Sequence, residues 1–452
     1  MTTLGEAIAR YHKLLEGDTN RVGEWVGQLR NSLAGHNLII NGRSVSPVLR
    51  PHFLSRRQYT NLVKTAESLY SAIDRVRQLA LANPALLNRV GLLPAEKMLA
   101  SVDPGYAVTN VSSLLDSYVN NGSVHFTECR AELPSGVIFG EMLGEIYYDS
   151  TLVKEFRKKY KLAKTGGVKP LLHALLKAYK EFGGKSKKPS IAILEFRNPF
   201  QTPETAESAA LVALLEKHGH PAQLVAPEQL EYRNGVLRNG EFVIDMIYRG
   251  VKAQDFLLRY DLTHPLVRAY RERKVCVVNS FRSEVTRKKA LFGLLTDDAV
   301  TAGFPAVERR AIRESIPWTR VVAQTKTMYQ DKEVDLTEFI VQNREKLVLR
   351  PNDDVAEQHA FDGAYTDQSA WERALRQALR APYVVQERIE PKPVVFPVDV
   401  YGDIAFRDMN VDVHPHAFLG KVHGCSSRIS AAGHSGFSSL SGLAPTFILD
   451  SR

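Results

Sequence analysis

The sequence is poor in cysteine and contains no long apolar run. Cys129, Cys276 and Cys425 are the only cysteines in 452 residues, they lie far apart, and no Cys-x-x-Cys pair occurs. Three such cysteines are too few for a disulfide framework, which predicts a reducing cytoplasmic location. No window approaches the roughly 20 apolar residues of a membrane span, and the amino terminus has no apolar signal core. We therefore expect a cytoplasmic protein without a membrane partner.

Long runs of one charge are also absent. The 59 basic residues exceed the 50 acidic residues by nine, an excess that would suit an anionic partner such as a nucleotide. The two most basic stretches, residues 157–161 and 185–188, are short and are typical of a solvated face. The composition therefore argues against nucleic acid as a partner.

The length of the chain predicts two or three domains, because 452 residues exceed what one hydrophobic core usually supports. Residues 190–196 form a short apolar run, Thr202 and Pro203 begin a helix, and residues 223–225 form a second apolar run. This order predicts a β-α-β unit with a parallel sheet.

The first 80 residues predict helices. Residues 4–33 read as two helices, and one apolar stripe along a longer structural helix consists of Leu62, Ala66, Leu69, Ile73, Val76 and Ala80.

A hairpin is predicted around residues 120–122. With a three-residue turn and Gly122 in the left-handed conformation, residue 116 pairs with residue 126, and Asp116, Glu128 and Arg130 share one face. A two-residue turn would place the two carboxylates on opposite faces. Converging carboxylates could hold Mg²⁺, whereas a surface hairpin with ordinary charges is the alternative.

Residues 346–390 read as strand, loop, helix and strand. The first strand ends near Arg350 and the second ends with Gln386 and Glu387, an order suited to a nucleotide clamp. Upstream, Ser283 is predicted to cap a helix that carries Lys289. Lys289 could reach a phosphate, although a solvent-facing lysine is the commoner arrangement.

Histidines and a cysteine alternate near the carboxy terminus. On two adjacent strands, such pairs could bind zinc because alternate residues share a face. Pro415 and Gly424 argue against regular strands, so ordinary loop residues are the favoured interpretation of His414, His416, His423 and Cys425.

The order of these segments resembles that of the circularly permuted ATP-grasp proteins, a group that includes glutathionylspermidine-synthase-like ligases. The matching motifs are residues 245–249 (DMIYR), 264–270 (HPLVRAY), 275–282 (VCVVNSFR), 289–292 (KALF) and 383–387 (YVVQE). The resemblance implies a mixed α/β and α+β fold with an N-terminal helical segment and a central Rossmann-like parallel sheet. It implies three regions: residues 1–185 with the N-terminal helices and the hairpin, 186–282 with the β-α-β unit, and 283–452 with the ATP-grasp lobes.

The resemblance also implies an activity. Such proteins use ATP and Mg²⁺ to activate a small-molecule carboxylate as an acyl phosphate and join it to an amine. The implied roles are metal binding by Asp116 and Glu128, phosphate binding by Lys289 and Arg350, adenine binding by Gln386 and Glu387, and catalysis by Arg428 and Arg130.

The sequence departs from the family pattern at the positions that hold metal and phosphate. Arg130 replaces an asparagine and cannot ligate a metal, because a guanidinium accepts no hydrogen bond. Arg350 replaces a lysine, residues 356–359 (AEQH) replace a Gly-Gly-Lys-Gly type of loop, and residues 437–443 replace a glycine-rich turn. The alternative prediction is therefore a pseudoenzyme that serves as a binding or scaffold module and has a protein partner. A third possibility is a ligase that uses these arginines for another anionic substrate.

Overall fold

The computed structural model describes residues 3–17, 19–120, 123–133, 135–198, 202–353, 359–400, 402–432 and 440–450. Its α-helices are α1 (Thr3–Leu15), α2 (Thr19–Gly35), α3 (Arg56–Ala82), α4 (Pro84–Val90), α5 (Pro94–Ser101), α6 (Val137–Asp149), α7 (Thr151–Arg157), α8 (Val168–Phe182), α9 (Pro203–Lys217), α10 (Ala253–Leu257), α11 (Pro265–Arg271), α12 (Glu284–Arg287), α13 (Ala290–Leu295), α14 (Asp298–Thr301), α15 (Ala306–Ser315), α16 (Leu336–Gln342) and α17 (Gln368–Ala378).

The β-strands are β1 (Ile39–Ile40), β2 (Arg43–Ser44), β3 (His52–Ser55), β4 (Ser112–Asn120), β5 (Ser123–Arg130), β6 (Lys161–Lys164), β7 (Ile191–Leu194), β8 (Ala222–Val225), β9 (Glu231–Arg233), β10 (Val236–Asn239), β11 (Phe242–Val243), β12 (Met246–Arg249), β13 (Cys276–Val278), β14 (Thr319–Val321), β15 (Lys326–Tyr329), β16 (Lys332–Asp335), β17 (Leu347–Pro351), β18 (Phe361–Asp362), β19 (Tyr383–Glu387), β20 (Val394–Val400), β21 (Asp403–Phe418), β22 (Lys421–Ala431), β23 (Gly442–Ala444) and β24 (Thr446–Asp450).

The largest sheet joins the hairpin to the carboxy-terminal part of the chain. Its order is β23-β22-β21-β4-β5, and β20 also pairs with β21. Alternate residues of β21 face opposite sides: Val411 and Val413 belong to the hydrophobic cluster that contains the buried face of α3. The intervening Asp412, His414 and His416 therefore project from the other face, which carries the candidate site.

Helix α3 covers the apolar face of this sheet. All six residues of its predicted stripe are buried, so that prediction is confirmed. The helix begins with a capping box in which the Ser55 hydroxyl accepts from the Gln58 amide at 3.2 Å and the Gln58 side chain accepts from the Ser55 amide at 2.9 Å.

A four-stranded parallel sheet, in the order β13-β12-β7-β8, occupies residues 191–278. Its strands are apolar on both faces: Ile191 and Ile193 pack into one hydrophobic cluster, whereas Ala192 and Leu194 pack into another. Burial on two faces explains the continuous apolar runs in the sequence. The predicted β-α-β unit is therefore present as β7, α9 and β8.

The third large sheet contains the predicted clamp. Strands β14, β19, β17 and β18 are antiparallel neighbours in that order. Helix α17 packs on it through Trp371, which is fully buried and donates from Nε1 to the Ile340 carbonyl at 3.0 Å. The predicted strands and helix of residues 346–390 are thus confirmed in that order, whereas the predicted loop also contains the short strand β18, and residues 354–358 of it lie outside the described ranges.

Strand β24 connects the end of the described chain to its beginning. It pairs in parallel with β3 and antiparallel with β6. In this sheet and in the largest sheet, neighbouring strands are not always consecutive in the sequence. The predicted division of the chain into three regions at residues 185 and 282 stays a prediction. In the described part of the chain, no helix is long and apolar enough to cross a membrane.

Candidate functional site

The hairpin β4–β5 places the two predicted metal-binding carboxylates opposite each other. Asn120 pairs with Ser123, so two residues, which lie outside the described ranges, connect the strands. The predicted three-residue turn and 116–126 pair are therefore wrong. A β-bulge next to Asp116 shifts the register by one residue, so that Asp116 pairs with Glu128 and both carboxylates reach the same face.

Arg130 holds Asp116. Its Nη2 and Nε donate to Asp116 Oδ2 at 2.9 and 3.1 Å. On the other carboxylate oxygen, Oδ1, His414 Nε2 approaches to 3.4 Å. Burial works to raise the pKa of Asp116, but Arg130 and His414 outweigh it and hold that pKa below its ordinary value. Asp116 is therefore ionised at neutral pH and paired with an arginine.

Glu128 holds both predicted phosphate-binding cations. Its Oε1 lies 3.3 Å from Lys289 Nζ, and its Oε2 accepts from Arg350 Nη2 at 2.9 Å. The side chains of Glu128 and Lys289 are each only 3% exposed, so this pair is shielded from solvent. We name Asp116, Glu128, Arg130, Lys289 and Arg350 the hairpin cluster.

Lys289 reaches the cluster because its helix is interrupted. The single helix predicted after Ser283 is wrong: α12 ends at Arg287, Lys288 is extended, and α13 starts at Ala290. Asn352 fixes the interruption, since its carbonyl and its side-chain oxygen accept from the amides of Lys289 and Ala290 at 3.1 and 2.8 Å. The commoner expectation of a solvent-facing lysine does not hold, because Lys289 is buried.

The second clamp strand, β19, contacts the hairpin directly. Gln386 accepts from Arg350 Nη1 at 3.2 Å and donates to the hydroxyl of Thr319 at 3.0 Å and to the Thr127 carbonyl at 3.4 Å. Glu387 accepts from the Trp318 amide at 3.0 Å and from the Tyr329 hydroxyl at 2.9 Å. The polar atoms of both predicted adenine-binding side chains therefore contact protein groups.

Arg428 differs from the other predicted residues. Its side chain is exposed, and among the described residues it makes no hydrogen bond or ion pair. On the neighbouring strand, Asp412 is its register partner. Burial and the nearby Asp116 raise the pKa of Asp412 to about 7, against the opposing effect of Arg428.

A cavity of about 1220 Å³ opens beside Arg428. Helix α2, residues 39–49, the first turn of α6 and the start of α9 form its walls, and His414 and Arg428 line it from the large sheet. These two residues connect the cavity with the hairpin cluster, because His414 also contacts Asp116.

The four histidine and cysteine positions near the carboxy terminus lie in strands β21 and β22, not in loops, and the register of this pair shifts between His416 and Ala417. Pro415 pairs with Cys425 and His416 with Gly424 across β21 and β22. His416 Nε2 is 3.0 Å from the Ser426 hydroxyl, and His423 stacks against Phe418. Among the residues that the structure describes, no group of three or more His, Cys, Asp or Glu side chains could hold a metal ion.

The hairpin cluster does not fit a magnesium ion. Mg²⁺ requires octahedral oxygen ligands, whereas both Glu128 oxygens and one Asp116 oxygen contact cationic nitrogens. The fixed positive charge of Arg130 on Asp116 also opposes a divalent cation. Residues 356–358 of the predicted phosphate loop and residues 437–439 of the terminal turn lie outside the described ranges.

Sequence reasoning missed a second group of buried charges, which we name the inner network. It consists of Glu96, Arg249, Glu284, Arg287, Lys288 and Asp353. Glu284 contacts Arg249 at 2.8 Å and Arg287 at 3.0 Å, and Lys288 contacts Glu96 at 2.8 Å and Asp353 at 2.5 Å. Arg287 also contacts Asp353. An available signal was Arg249, which directly follows the apolar residues 246–248.

Comparison with known proteins assigns the fold. No family model and no curated protein sequence matches the chain. A glutathione synthetase-like effector from Globodera pallida, in its apo form, matches with a TM-score of 0.63 and 13% identity, over 96% of this chain and 98% of that chain. A putative gamma-glutamylcysteine synthetase from Methylobacillus flagellatus KT matches with a TM-score of 0.43 and 9% identity, over 88% and 87% of the two chains.

The first comparison shows that this chain has a glutathione synthetase-like fold. This result confirms the predicted mixed α/β, ligase-like architecture. The circular permutation and the roles of the individual site residues stay predictions.

Proposed function

We propose that this chain is a circularly permuted ATP-grasp-like protein of the glutathionylspermidine-synthase-like group that acts as a small-molecule binding module and has lost metal-dependent ligation. The ligase relationship is supported by the similarity to a protein described as glutathione synthetase-like. The loss of ligation is supported by the side chains of this chain. A cytoplasmic location is in keeping with the three cysteines, which are buried and free.

One observation carries the proposal. The groups expected to bind metal and the groups expected to bind phosphate bind each other: Arg130 pairs with Asp116, while Lys289 and Arg350 pair with Glu128. A buried ion pair that loses one partner leaves an uncompensated charge, which typically costs about 3–5 kcal/mol. Binding of Mg²⁺ or a polyphosphate would have to overcome part of that cost at each pair, because Asp116, Arg130 and Arg350 are partly exposed.

Direct contact between the two sheets supports the same conclusion. The clamp strands donate from Arg350 and Gln386 to the carbonyl of Thr127, at 3.3 and 3.4 Å, and Thr127 lies in β5. The clamp and the hairpin are therefore in direct contact at Thr127.

A thermal shift titration with millimolar ATP, with and without Mg²⁺, tests the proposal. A ligand present at about 100 times its dissociation constant stabilises the folded state by about 2.7 kcal/mol, so binding would be visible. We expect no Mg²⁺-dependent shift and no phosphate release in the presence of pooled amines and carboxylates. A Mg²⁺-dependent shift accompanied by phosphate release would refute the loss of ligation.

The Arg130→Asn variant tests whether the arginine replaces the ion. It restores the family's residue and removes the guanidinium from Asp116, so Mg²⁺ alone should raise the melting temperature of the variant but not that of the unmodified protein. Arg310→Asn is the matched control, because Arg310 is an exposed arginine paired only with Glu314 four residues later. Equal responses of all three proteins to Mg²⁺ would count against the replacement.

An active ATP-dependent ligase is the second candidate. It is favoured by the charge of the hairpin cluster, in which three cations face two carboxylates and leave an excess of one positive charge. In that case Lys289 and Arg350 would exchange Glu128 for phosphate oxygens, and Arg428 would stabilise negative charge on the activated carboxylate. The phosphate-release measurement described above separates the two candidates.

A further inference from the structure

We propose that the cavity beside Arg428 binds a small molecule with one carboxylate and an apolar body, such as a fatty acid. This inference deepens the proposed binding role by naming the class of ligand. The inference depends on the proposed function in one respect: the ligand is bound by the protein and is not converted to a product.

The wall contributed by the N-terminal part of the chain is apolar. Helix α2 presents Val26, Leu29 and Leu33 to the cavity, and Ile39 and Ile40 extend this surface along β1. Leu29 and Leu33 are 5% and 4% exposed, so they are held in the hydrophobic cluster formed with α6 and α7. A concave site that is mainly apolar with a few polar groups is typical of small-molecule binding.

The charged residues that line the cavity are neutralised, with two exceptions. Arg30 pairs with Asp399, which also accepts from the Gly402 amide at 2.8 Å. Glu207 accepts from the amides of Gly136, Ile138 and Phe139 at 2.7, 2.8 and 3.1 Å. It therefore caps the amino-terminal end of α6, where a negative charge is stabilised by the helix dipole.

Arg428 and Arg43 are the exceptions. Both line the cavity, and among the described residues neither makes a hydrogen bond or an ion pair. Counting all charged lining residues, three arginines face two carboxylates, so the cavity has an excess of one positive charge. This excess selects an anionic group over a cationic or neutral one.

Arg428 is the better placed of the two for a carboxylate. It lies on β22, next to the strand β21 that carries buried His414, whereas Arg43 lies in the β1–β2 hairpin. A guanidinium binds a carboxylate through two parallel hydrogen bonds.

Binding of hexanoate, octanoate and dodecanoate to the full chain, measured by isothermal titration calorimetry without nucleotide, tests the proposal. We expect about tenfold tighter binding for each added pair of methylenes, because each buries apolar surface. Octanamide has the same body without the charge and should bind at least tenfold more weakly than octanoate. Equal binding of the acid and the amide would refute the anionic selectivity, and the absence of binding by all three acids would refute the site.

Variants then locate the site. Arg428→Gln should weaken octanoate binding by about 10- to 100-fold, the usual effect of losing a charged hydrogen bond. Arg407→Gln, an exposed arginine on the adjacent strand β21, is the matched control and should bind octanoate normally. Val26→Trp should block the apolar wall and weaken dodecanoate more than hexanoate. Unchanged binding in both Arg428→Gln and Val26→Trp would place the acid elsewhere and overturn the proposal.

These measurements are independent of the nucleotide experiment. If ATP turnover were found and the acids also bound, the loss of ligation would be refuted while the cavity assignment stood. If neither nucleotide nor acid bound, the cavity assignment would fail and the loss of ligation would stand.

Discussion

The hairpin cluster and the inner network are two groups of buried charges that differ in how completely they are satisfied. In the inner network three cations face three carboxylates, and no side chain is more than 6% exposed. In the hairpin cluster three cations face two carboxylates, and Asp116, Arg350 and Arg130 are 15%, 22% and 32% exposed. The first group is therefore closed and neutral, whereas the second is partly open and positive.

This difference indicates a structural role for the inner network and supports the binding role proposed for the other region. The inner network joins α5, the parallel sheet, α12 and the end of β17, and every charge has an opposite partner within it. It can exchange no partner without leaving an unpaired charge in the core. The hairpin cluster adjoins a cavity and has water access on one side, so its partners can be exchanged at a lower cost.

The largest expected effect is on the inner network. Glu284→Gln should lower the free energy of unfolding by about 3–5 kcal/mol, because Arg249 and Arg287 would lose a fully buried carboxylate. Guanidinium titration followed by circular dichroism measures this change. Glu314→Gln is the control: its exposed pair with Arg310 should contribute less than about 0.5 kcal/mol. Similar losses of unfolding free energy in Glu284→Gln and Glu314→Gln would show that burial does not decide the cost of breaking an ion pair here.

A smaller effect is expected in the hairpin cluster. Glu128→Gln should destabilise the protein by about 1–3 kcal/mol, because Arg350 retains hydrogen bonds to Gln386 and to the Thr127 carbonyl and is partly solvated. The same variant frees Lys289 and Arg350 for anions, so phosphate should raise its melting temperature more than that of the unmodified protein. A loss of stability as large as that of Glu284→Gln would show that the hairpin cluster tolerates the removal of a charge no better than the inner network does.

The smallest expected effect is a gain in stability, and its size depends on pH. The folded-state pKa of Asp412 is raised to about 7 from its ordinary value of 3.8, so the folded protein binds this proton more tightly than the unfolded chain. The stabilisation from protonated Asp412 is therefore present at low pH and is lost as pH rises from about 4 through 7.

Asp412→Asn mimics the protonated carboxyl and should stabilise the protein by about 1 kcal/mol at pH 8 and by less at pH 5, where only part of the loss has occurred. Melting temperatures measured from pH 5 to 8 test this difference. Asp408→Asn, an exposed carboxylate on the same strand, is the control. A stabilisation that is the same at both pH values would contradict the raised pKa.

Local patterns were sufficient to predict several elements. The stripe from Leu62 to Ala80 specified α3, because residues three and four apart share a helix face. The apolar runs around residues 190–225 specified two parallel strands, and the pattern of residues 346–390 specified the clamp. These predictions succeeded because each depends on side chains that are close in sequence.

The partners of the site residues could not be predicted in this way. The sequence placed Arg130 on the same face as Asp116 and Glu128, but Glu128 pairs with Lys289 and Arg350, which are 161 and 222 positions away in the chain. The helix interruption that turns Lys289 inward depends on Asn352, which belongs to a distant segment of the chain. Local propensity does not contain that information.

The sequence by itself determined the class of fold, the residue types at the candidate site and the departures from a working metal and phosphate site. The tertiary structure decided which charges neutralise each other and left Arg428 beside an apolar cavity whose walls come from residues 26 to 443. The physical reason is that composition fixes the number of charges, whereas their pairing and exposure depend on how remote segments pack.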